Sequence, residues 1–231
     1  MMWGKSIINA LKELDAVDLE GHYKLASGKH SNAYIDLRVG LPYPKFVKTL
    51  SWALRYAIVE FHYYYHQGTT RVPDLLVGLG NAGPLLAYVT TEYLRNNNDG
   101  RYEHLKSIWC VSDGETFKFP PKMPFAQLVD GAKVIIVDDL LTTGSSMRKV
   151  SEFLQSQGAE VLAGVVAVKR SKGVQESDCG VPVVLAASEL TESIDTYEED
   201  VCPLCAQRVP MRRGVAHNDE FLKAHPDFPS V

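Results

Sequence analysis

Two adjacent carboxylates and a group of small hydroxyl residues lie close together in the middle of the chain. Asp138 and Asp139 follow the apolar run 134–137, and a turn rich in threonine and serine comes shortly after them. Carboxylates accept hydrogen bonds from the vicinal hydroxyls of a sugar. Hydroxyl groups and the free backbone N–H groups at a helix start bind phosphate. The segment therefore predicts a site for a phosphorylated sugar, which comprises Asp138, Asp139, Thr142, Thr143, Gly144, Ser145 and Ser146.

The apolar pattern around this segment predicts the elements that position it. Four consecutive β-branched residues at 134–137 favour a strand buried on both faces of a parallel sheet, with the acids at its carboxyl end. Met147, Val150 and Leu154 recur at helical spacing and predict a helix through residue 157. Ser145 or Ser146 is the expected N-cap of that helix.

A second motif, GxGxxG, is formed by Gly78, Gly80 and Gly83 between a predicted strand at 74–77 and a predicted helix at 84–94. Glycine permits positive φ and close backbone approach to phosphate. The acid that a dinucleotide site needs about 20 residues further on does not fall at the end of the next predicted strand. Three interpretations stay open: a pyrophosphate-binding turn, a structural turn and a dinucleotide site.

The order of the remaining elements predicts the fold class. Helices are expected at 5–15 and 45–63 and strands at 107–111 and 160–168, which gives two βαβ units with right-handed crossovers. The expected architecture is α/β, with a doubly wound parallel sheet that binds ligands outside the carboxyl ends of its strands. Residues 1–190 form the expected main domain, and 191–231 form a tail of different composition.

Composition sets further limits on function. The chain has 231 residues, of which 45% are hydrophobic and 23% charged, and its net charge is −4. This balance argues against non-specific nucleic-acid binding. No apolar stretch approaches the roughly 18–20 residues that span a bilayer, and the first residues lack a secretory pattern, so no membrane association and a cytoplasmic location are expected. Four cysteines are too few for a disulfide framework in a chain of this length.

Two segments resemble a known enzyme family. Residues 134–146 resemble the PRPP-binding motif of type I phosphoribosyltransferases, and Leu25-Ala-Ser-Gly-Lys-His-Ser-Asn-Ala-Tyr-Ile-Asp-Leu-Arg38 resembles the N-terminal signature of orotate phosphoribosyltransferases. The resemblance implies transfer of 5-phosphoribosyl from PRPP to orotate, which gives orotidine 5′-phosphate and pyrophosphate. It also implies Mg²⁺ held through PRPP, a small hood to which about residues 1–40 contribute, and a homodimer whose mobile loop reaches the neighbouring active site.

The resemblance also implies which residues bind each substrate. PRPP is expected at Asp138, Asp139, Leu140, Leu141, Thr142, Thr143, Gly144, Ser145 and Ser146 and at the turn Gly80, Asn81, Ala82 and Gly83. The base is expected at Ser27, Gly28, Ser31, Tyr34, Thr142 and Arg170. Asp138 and Asp139 are also the expected catalytic residues.

Some family features are missing. The family places lysines where this chain has Ala26 and Ala82, and the loop 111–130 offers only Lys118 and Lys122 as basic groups. Lys118 is the candidate third catalytic residue, although the loop could equally be an ordinary surface excursion. A phosphoribosyltransferase for another base, or a PRPP-sensing regulator without turnover, therefore remains an alternative.

The tail contains Cys202-Pro-Leu-Cys205, which has zinc-knuckle spacing. Zinc normally takes four ligands, so His217, His225 or a partner subunit would have to complete such a site. A redox pair and structural thiols are the alternatives. His22, His30 and His104 are expected to be solvated or core histidines rather than ligands.

Overall fold

The computed structural model describes residues 2–25, 27–65, 72–96, 100–170, 173–190 and 194–231. Its strands are β1 Val17–Asp18, β2 Tyr23–Lys24, β3 His30–Ser31, β4 Tyr34–Ile35, β5 Leu75–Gly78, β6 Lys106–Trp109, β7 Val111–Ser112, β8 Phe117–Lys118, β9 Lys133–Leu141, β10 Glu160–Lys169, β11 Val184–Glu189 and β12 Thr196–Tyr197. Its helices are α1 Met2–Glu13, α2 Pro44–Tyr65, α3 Gly83–Asn96, α4 Ala126–Val129, α5 Ser145–Ser156, α6 Glu176–Cys179, α7 Pro203–Ala206 and α8 Asn218–Ala224. Short 3₁₀ helices cover Leu37–Gly40 and Glu199–Val201.

A five-stranded parallel sheet in the order β11-β10-β9-β5-β6 forms the centre of the molecule. Strand β9 shows how the sheet is buried. Ile135 and Val137 pack into one apolar cluster with α2 and α3, whereas Val134 and Ile136 pack into a second cluster with α5. Alternate residues of a strand point to opposite faces, so helices cover both sides of the sheet. The predicted doubly wound parallel sheet is confirmed.

A small hood lies beside the carboxyl ends of the central strands. Its three-stranded antiparallel sheet has the order β12-β3-β2, so the tail contributes one strand to a sheet that begins near the N-terminus. Asn218 is fully buried and joins the two parts: its side chain accepts from the Lys24 backbone N–H at 2.8 Å and donates to the His22 carbonyl at 3.3 Å. The tail is therefore packed against the hood.

Several predicted boundaries differ from the structure. The predicted strand 107–111 is β6, which ends at Trp109 because the chain then leaves the sheet for the β7–β8 hairpin. Helix α2 begins one residue before the predicted 45, at Pro44, because proline lacks an N–H and fits the first turn of a helix. In the described part of the chain, no helix has the length and apolar content to cross a bilayer.

Candidate active site

A cleft of about 1190 Å³ opens between the hood and the carboxyl ends of β5, β9 and β10. The register of the strands explains its position. Strand β5 ends at Gly78, which pairs with Val137, whereas β10 continues to pair with β9 as far as Leu141. The last four residues of β9 therefore have a neighbour on one side only. The predicted site residues that line the cleft are Ser27, Tyr34, Gly80, Asn81, Ala82, Asp138, Asp139, Leu140, Thr142, Thr143, Ser146 and Arg170.

Asp138 and Asp139 lie near the carboxyl end of β9, as predicted, and the strand extends beyond the apolar run 134–137 and past both acids to Leu141. Asp138 is paired with Val166 of β10, and the backbone N–H of Asp139 donates to the Asp138 carboxylate at 2.9 Å. Burial, and next the negative charge of Asp139, raise the pKa of Asp138 well above its usual range. Both carboxylates are half-buried and border the cleft, where they can accept hydrogen bonds from a diol.

The raised pKa has a consequence for stability. Asp138→Asn is expected to raise the free energy of unfolding of the ligand-free protein by about 0.5–2 kcal/mol near neutral pH. In the folded state this carboxyl group holds its proton more tightly than in the unfolded chain. Its contribution to stability is therefore full below the ordinary pKa of 3.8 and is lost as the pH rises toward the raised pKa. Asparagine has no charge to bury.

The gain from Asp138→Asn should consequently be larger at about pH 8 than at about pH 5. Urea unfolding of the two proteins at both pH values measures it. An equal gain at both values would show that the proton on Asp138 is not its cause.

The hydroxyl-rich turn ends β9 and begins α5. Gly144 is the N-cap, has a φ of 80° and forms no side-chain capping bond, so the prediction of Ser145 or Ser146 as N-cap is wrong. Only Gly fits here, because a Cβ would lie 2.7 Å from Cys179 Sγ. The cap provides no side chain to accept from the first N–H groups of the 12-residue helix. Those groups can donate to an anion beside Thr143 and Ser146.

The glycine turn connects β5 to α3, and Gly80 and Gly83 have different roles in it. Gly80 has a φ of 68°, and the turn that it permits lines the cleft with Asn81 and Ala82. Gly83 is not in the lining. A Cβ on Gly83 would approach the Val137 carbonyl oxygen to 2.8 Å, so glycine allows the start of α3 to pack directly on β9. Ala82 is buried with 2% exposure.

Arg170 lies at the end of β10 on the hood side of the cleft. Its side chain is 6% exposed, and its Nη2 donates at 3.3 Å to both Ser31 Oγ and the Ala33 carbonyl. Among the described residues its side-chain hydrogen bonds reach only these neutral oxygens, and burial lowers the pKa of the guanidinium. A buried cation with neutral partners beside a cleft attracts an anionic ligand.

Sequence comparison adds the family to this geometry. The model of the phosphoribosyl transferase domain matches residues 56–196, which include the glycine turn, both carboxylates and the hydroxyl-rich turn. The chain belongs to the phosphoribosyl transferase family. Its relatives of similar length are transferases.

An orotate phosphoribosyltransferase from Desulforamulus reducens is 32% identical over 192 residues, 83% of this chain and 86% of its own. One from Caldicellulosiruptor saccharolyticus is 30% identical over 90% of this chain and 94% of its own. The crystal structure of orotate phosphoribosyltransferase from Aeropyrum pernix is 26% identical, with a TM-score of 0.57 over 80% of this chain and 93% of that chain.

Within this phosphoribosyl transferase fold, some predicted residues lie outside the cleft. The Oγ atom of Ser31 donates to the Asp195 carbonyl at 2.7 Å and accepts from Arg170. Ser31 therefore contacts Arg170 but does not line the cleft. Ala26 lies outside the described residues. Leu141, Gly144, Ser145, Gly83, Gly28 and Lys118 are likewise absent from the lining.

Lys118 belongs to the β7–β8 hairpin. Its ammonium group pairs with Asp113 at 3.2 Å, and 54% of its side chain is exposed. Lys149 of α5 donates to the Glu115 carbonyl at 2.9 Å and so contacts the turn of the same hairpin. Within one chain, the hairpin therefore holds the predicted catalytic lysine on the surface.

The cleft also contains Asp36 and Arg38, which were not among the predicted site residues. Arg38 donates to both oxygens of Asp36 at 2.7 Å, and its hydrogen bonds lower the pKa of that carboxyl. Tyr34 donates to Asp36 at 3.2 Å. The alternation of Asp36 and Arg38 with the predicted Tyr34 is a signal that could have identified both residues. The tail residues Ala216 and His217 line the same cleft without any local signal.

The tail cysteines have partners other than those expected. Cys202 and Cys205 meet His22 and His30, with one ligand atom of each residue within 4.8 Å of the others. His217 and His225 do not join the cysteines, because β12 and α7 bring the tail to the start of β2. His22 and His30 are buried, as expected of core histidines, and they lie beside the two cysteines. His217 is instead bonded to Glu220 and His225 to the Phe221 carbonyl, each at 3.1 Å. His104 is half exposed beside Asp74.

Proposed function

We propose that this protein transfers the 5-phosphoribosyl group from PRPP to orotate, with release of pyrophosphate. One observation carries the proposal. A single cleft contains two carboxylates, a helix N-terminus whose backbone N–H groups can bind phosphate, a glycine turn and a buried arginine. The relatives named orotate phosphoribosyltransferase span nearly the whole chain, which supports the same substrate.

PRPP would occupy the sheet side of the cleft. Asp138 and Asp139 would accept hydrogen bonds from the ribose diol, and the backbone N–H groups of residues 142–146 would donate to the 5′-phosphate. The Gly80 turn would direct backbone N–H groups at the pyrophosphate. The residues fit Mg²⁺, because two carboxylates border a cleft in which the ligand supplies further hard oxygen donors. Bound through PRPP, Mg²⁺ would offset the negative charge of the departing pyrophosphate.

Orotate would occupy the hood side. The planar guanidinium of Arg170 can form two parallel hydrogen bonds with a carboxylate, and Ser27 and Tyr34 line the cleft nearby. With both substrates in place, the base nitrogen attacks C1 of the ribose while the bond from C1 to the pyrophosphate oxygen breaks. The positive charge that develops on the ribose lies near the two carboxylates. Positioning and preorganised charge supply the rate, and no protein nucleophile is required.

We also propose a homodimer in which the β7–β8 hairpin delivers Lys118 to the neighbouring active site. The exposure of Lys118 and its separation from the cleft of its own chain support this arrangement. Lys118→Ala is expected to lower kcat by about 10²–10³-fold, as for the loss of one donor to a departing anion. Lys122→Ala, in the same loop, is the control and should stay near the parent rate.

Complementation tests whether Lys118 acts across the dimer. A mixture of Lys118→Ala chains with Asp138→Asn/Asp139→Asn chains should regain activity, since each mixed dimer has one site with both acids and the partner's lysine. No recovery in a mixture that sedimentation shows to contain mixed dimers would assign Lys118 to its own chain or to no catalytic role. If sedimentation shows only monomers, the proposal of a homodimer is refuted.

We also propose the domain boundaries of the protein and its location in the cell. We assign residues 1–190 to the phosphoribosyltransferase domain and residues 191–231 to a tail that completes its hood, because β12 pairs with β3. A cytoplasmic location is proposed because all four cysteines are free, as is usual in a reducing compartment.

The test of the proposed function is product formation with a panel of bases. Orotate, uracil and adenine are each incubated with PRPP and Mg²⁺, and nucleotide products are separated by chromatography. Orotidine 5′-phosphate as the main product supports the proposal, and another nucleotide assigns another base.

A PRPP-sensing regulator is one further candidate. It is favoured by Ala82, whose buried methyl group offers no positive charge to a pyrophosphate at the glycine turn. That candidate predicts PRPP binding with no product from any base.

A further inference from the structure

We propose that His22, His30, Cys202 and Cys205 form a zinc site that fastens the C-terminal tail to the β2–β3 hairpin of the hood. The four residues come from two parts of the chain that are far apart in sequence, yet their ligand atoms all lie within 4.8 Å of one another. Two thiols and two imidazoles are a donor set typical of structural zinc.

The distances between the ligand atoms fit one tetrahedral ion. His22 Nε2 lies 3.0 Å from His30 Nδ1, 3.6 Å from Cys205 Sγ and 3.7 Å from Cys202 Sγ. His30 Nδ1 lies 3.1 Å from Cys205 Sγ. Zinc bonds of about 2.0–2.1 Å to nitrogen and 2.3 Å to sulfur separate tetrahedral ligand atoms by about 3.3–3.8 Å. The other two of the six separations are at most 4.8 Å, so shifts of up to about an ångström would complete the site.

The outer nitrogen of His22 has an acceptor that orients its ring. His22 Nδ1 lies 2.9 Å from the Val209 carbonyl, to which it can only donate. Such a contact fixes the tautomer of a metal-binding histidine, and it leaves a lone pair on His22 Nε2, which faces the cysteines. His30 Nε2 is buried without a hydrogen-bond partner among the described residues, and the Glu199 carboxylate lies 3.7 Å from it.

His30 Nδ1 lies 3.0 Å from His22 Nε2 and faces the same cysteines. A metal ion among these atoms would accept a lone pair from each imidazole and would favour the thiolate form of both cysteines.

The surroundings of the site are those of a structural metal centre. His22, His30 and Cys202 are each exposed by 3% or less. The ring of His30 meets Phe221 at 4.9 Å between centroids, and the ring of His22 meets Phe228 at 5.7 Å. An apolar shell of this kind excludes water and leaves no open coordination position for a substrate.

The tail needs such a fastening because its own core is small. The cluster in the tail contains three buried apolar residues, Met211, Phe221 and Leu222. So few apolar side chains supply little stability, and small folded units commonly add a metal for this reason. His22 and His30 lie on either side of Ser27 in the chain, and Ser27 lines the cleft. The ion would thus hold both the tail and the base of a cleft-lining hairpin.

Metal analysis of the purified full-length protein tests the proposal without any assay of turnover. Plasma mass spectrometry should find about one zinc ion per chain. Cys202→Ser and Cys205→Ser should each lower the zinc content at least about tenfold. Cys110→Ala removes a buried thiol outside the group and should keep the parent content. Circular dichroism of each variant reports whether it is folded.

X-ray absorption at the zinc edge of the parent protein keeps the proposal testable if the cysteine variants do not fold. The expected shell has two sulfurs at about 2.3 Å and two nitrogens at about 2.0–2.1 Å. Three results would each overturn the proposal: less than about a tenth of a zinc ion per chain after supply of the ion, a shell without sulfur, or a Cys202–Cys205 disulfide in freshly isolated protein. None of them depends on which base the cleft accepts.

Discussion

Replacement of both Asp138 and Asp139 by asparagine is expected to lower kcat for phosphoribosyl transfer by at least about 10²–10³-fold, the effect of removing one preorganised electrostatic group from an active site. The two carboxylates lie where β9 has lost its neighbour β5, so they border the cleft together. Asparagine keeps the shape of each side chain and can still contact a hydroxyl group, but it cannot ionise and so cannot supply a negative charge beside a developing cation. The loss should therefore fall mainly on kcat and less on the KM for PRPP.

Initial rates of pyrophosphate release measure this effect. The control is the double variant Glu152→Gln/Glu176→Gln, which replaces two carboxyl groups by amides at exposed positions on α5 and α6. Because Asp138→Asn is expected to stabilise the ligand-free protein, a loss of rate in a variant at least as stable as the parent cannot be attributed to unfolding. Full activity of the aspartate double variant would refute the proposed role of both acids.

Replacement of Arg170 by alanine is expected to lower kcat/KM for orotate by about 30-fold or more, since loss of one partner of a buried charge pair costs about 2–5 kcal/mol. The guanidinium is buried, and its observed hydrogen bonds are to neutral oxygens, so an orotate carboxylate would be its first anionic partner. Arg170→Lys keeps the charge but loses the planar fork and should recover only part of the loss. The affinity for PRPP should change little.

A comparison of two bases separates recognition by Arg170 from support of the hood, because Arg170 also holds Ser31 and Ala33. Uracil lacks the carboxylate, so its slow transfer should be nearly unaffected by Arg170→Ala. Arg95→Ala, an exposed arginine in the last turn of α3, is the control and should match the parent with both bases. Equal losses for orotate and uracil would show that Arg170 supports the hood and does not select the base.

The sheet and the PRPP side of the cleft could be predicted because their signals are local. Four consecutive β-branched residues identified β9, and the apolar spacing of Met147, Val150 and Leu154 identified α5. The prediction of the N-cap was wrong because the contact that decides it is between residues distant in sequence. Cys179 leaves no room for a Cβ at position 144. The extension of β9 through both acids depends on pairing with β10, which a local pattern cannot reveal.

The hood was predicted less completely because it is assembled from distant segments. His22 and Cys202 are 180 residues apart, and neither residue has a neighbour in sequence that indicates the other. Residues of the tail reach the cleft only because β12 pairs with β3 and Asn218 bonds to β2. Lys118 could be selected by residue type, but its position relative to a cleft depends on how two chains associate.

Orotate-dependent release of pyrophosphate from PRPP in the presence of Mg²⁺ tests the central claim most directly. We expect release that requires orotate, yields an equal amount of orotidine 5′-phosphate and disappears in the Asp138→Asn/Asp139→Asn variant. If the protein binds PRPP and yet releases no pyrophosphate when orotate is added, the assignment of orotate transfer is contradicted.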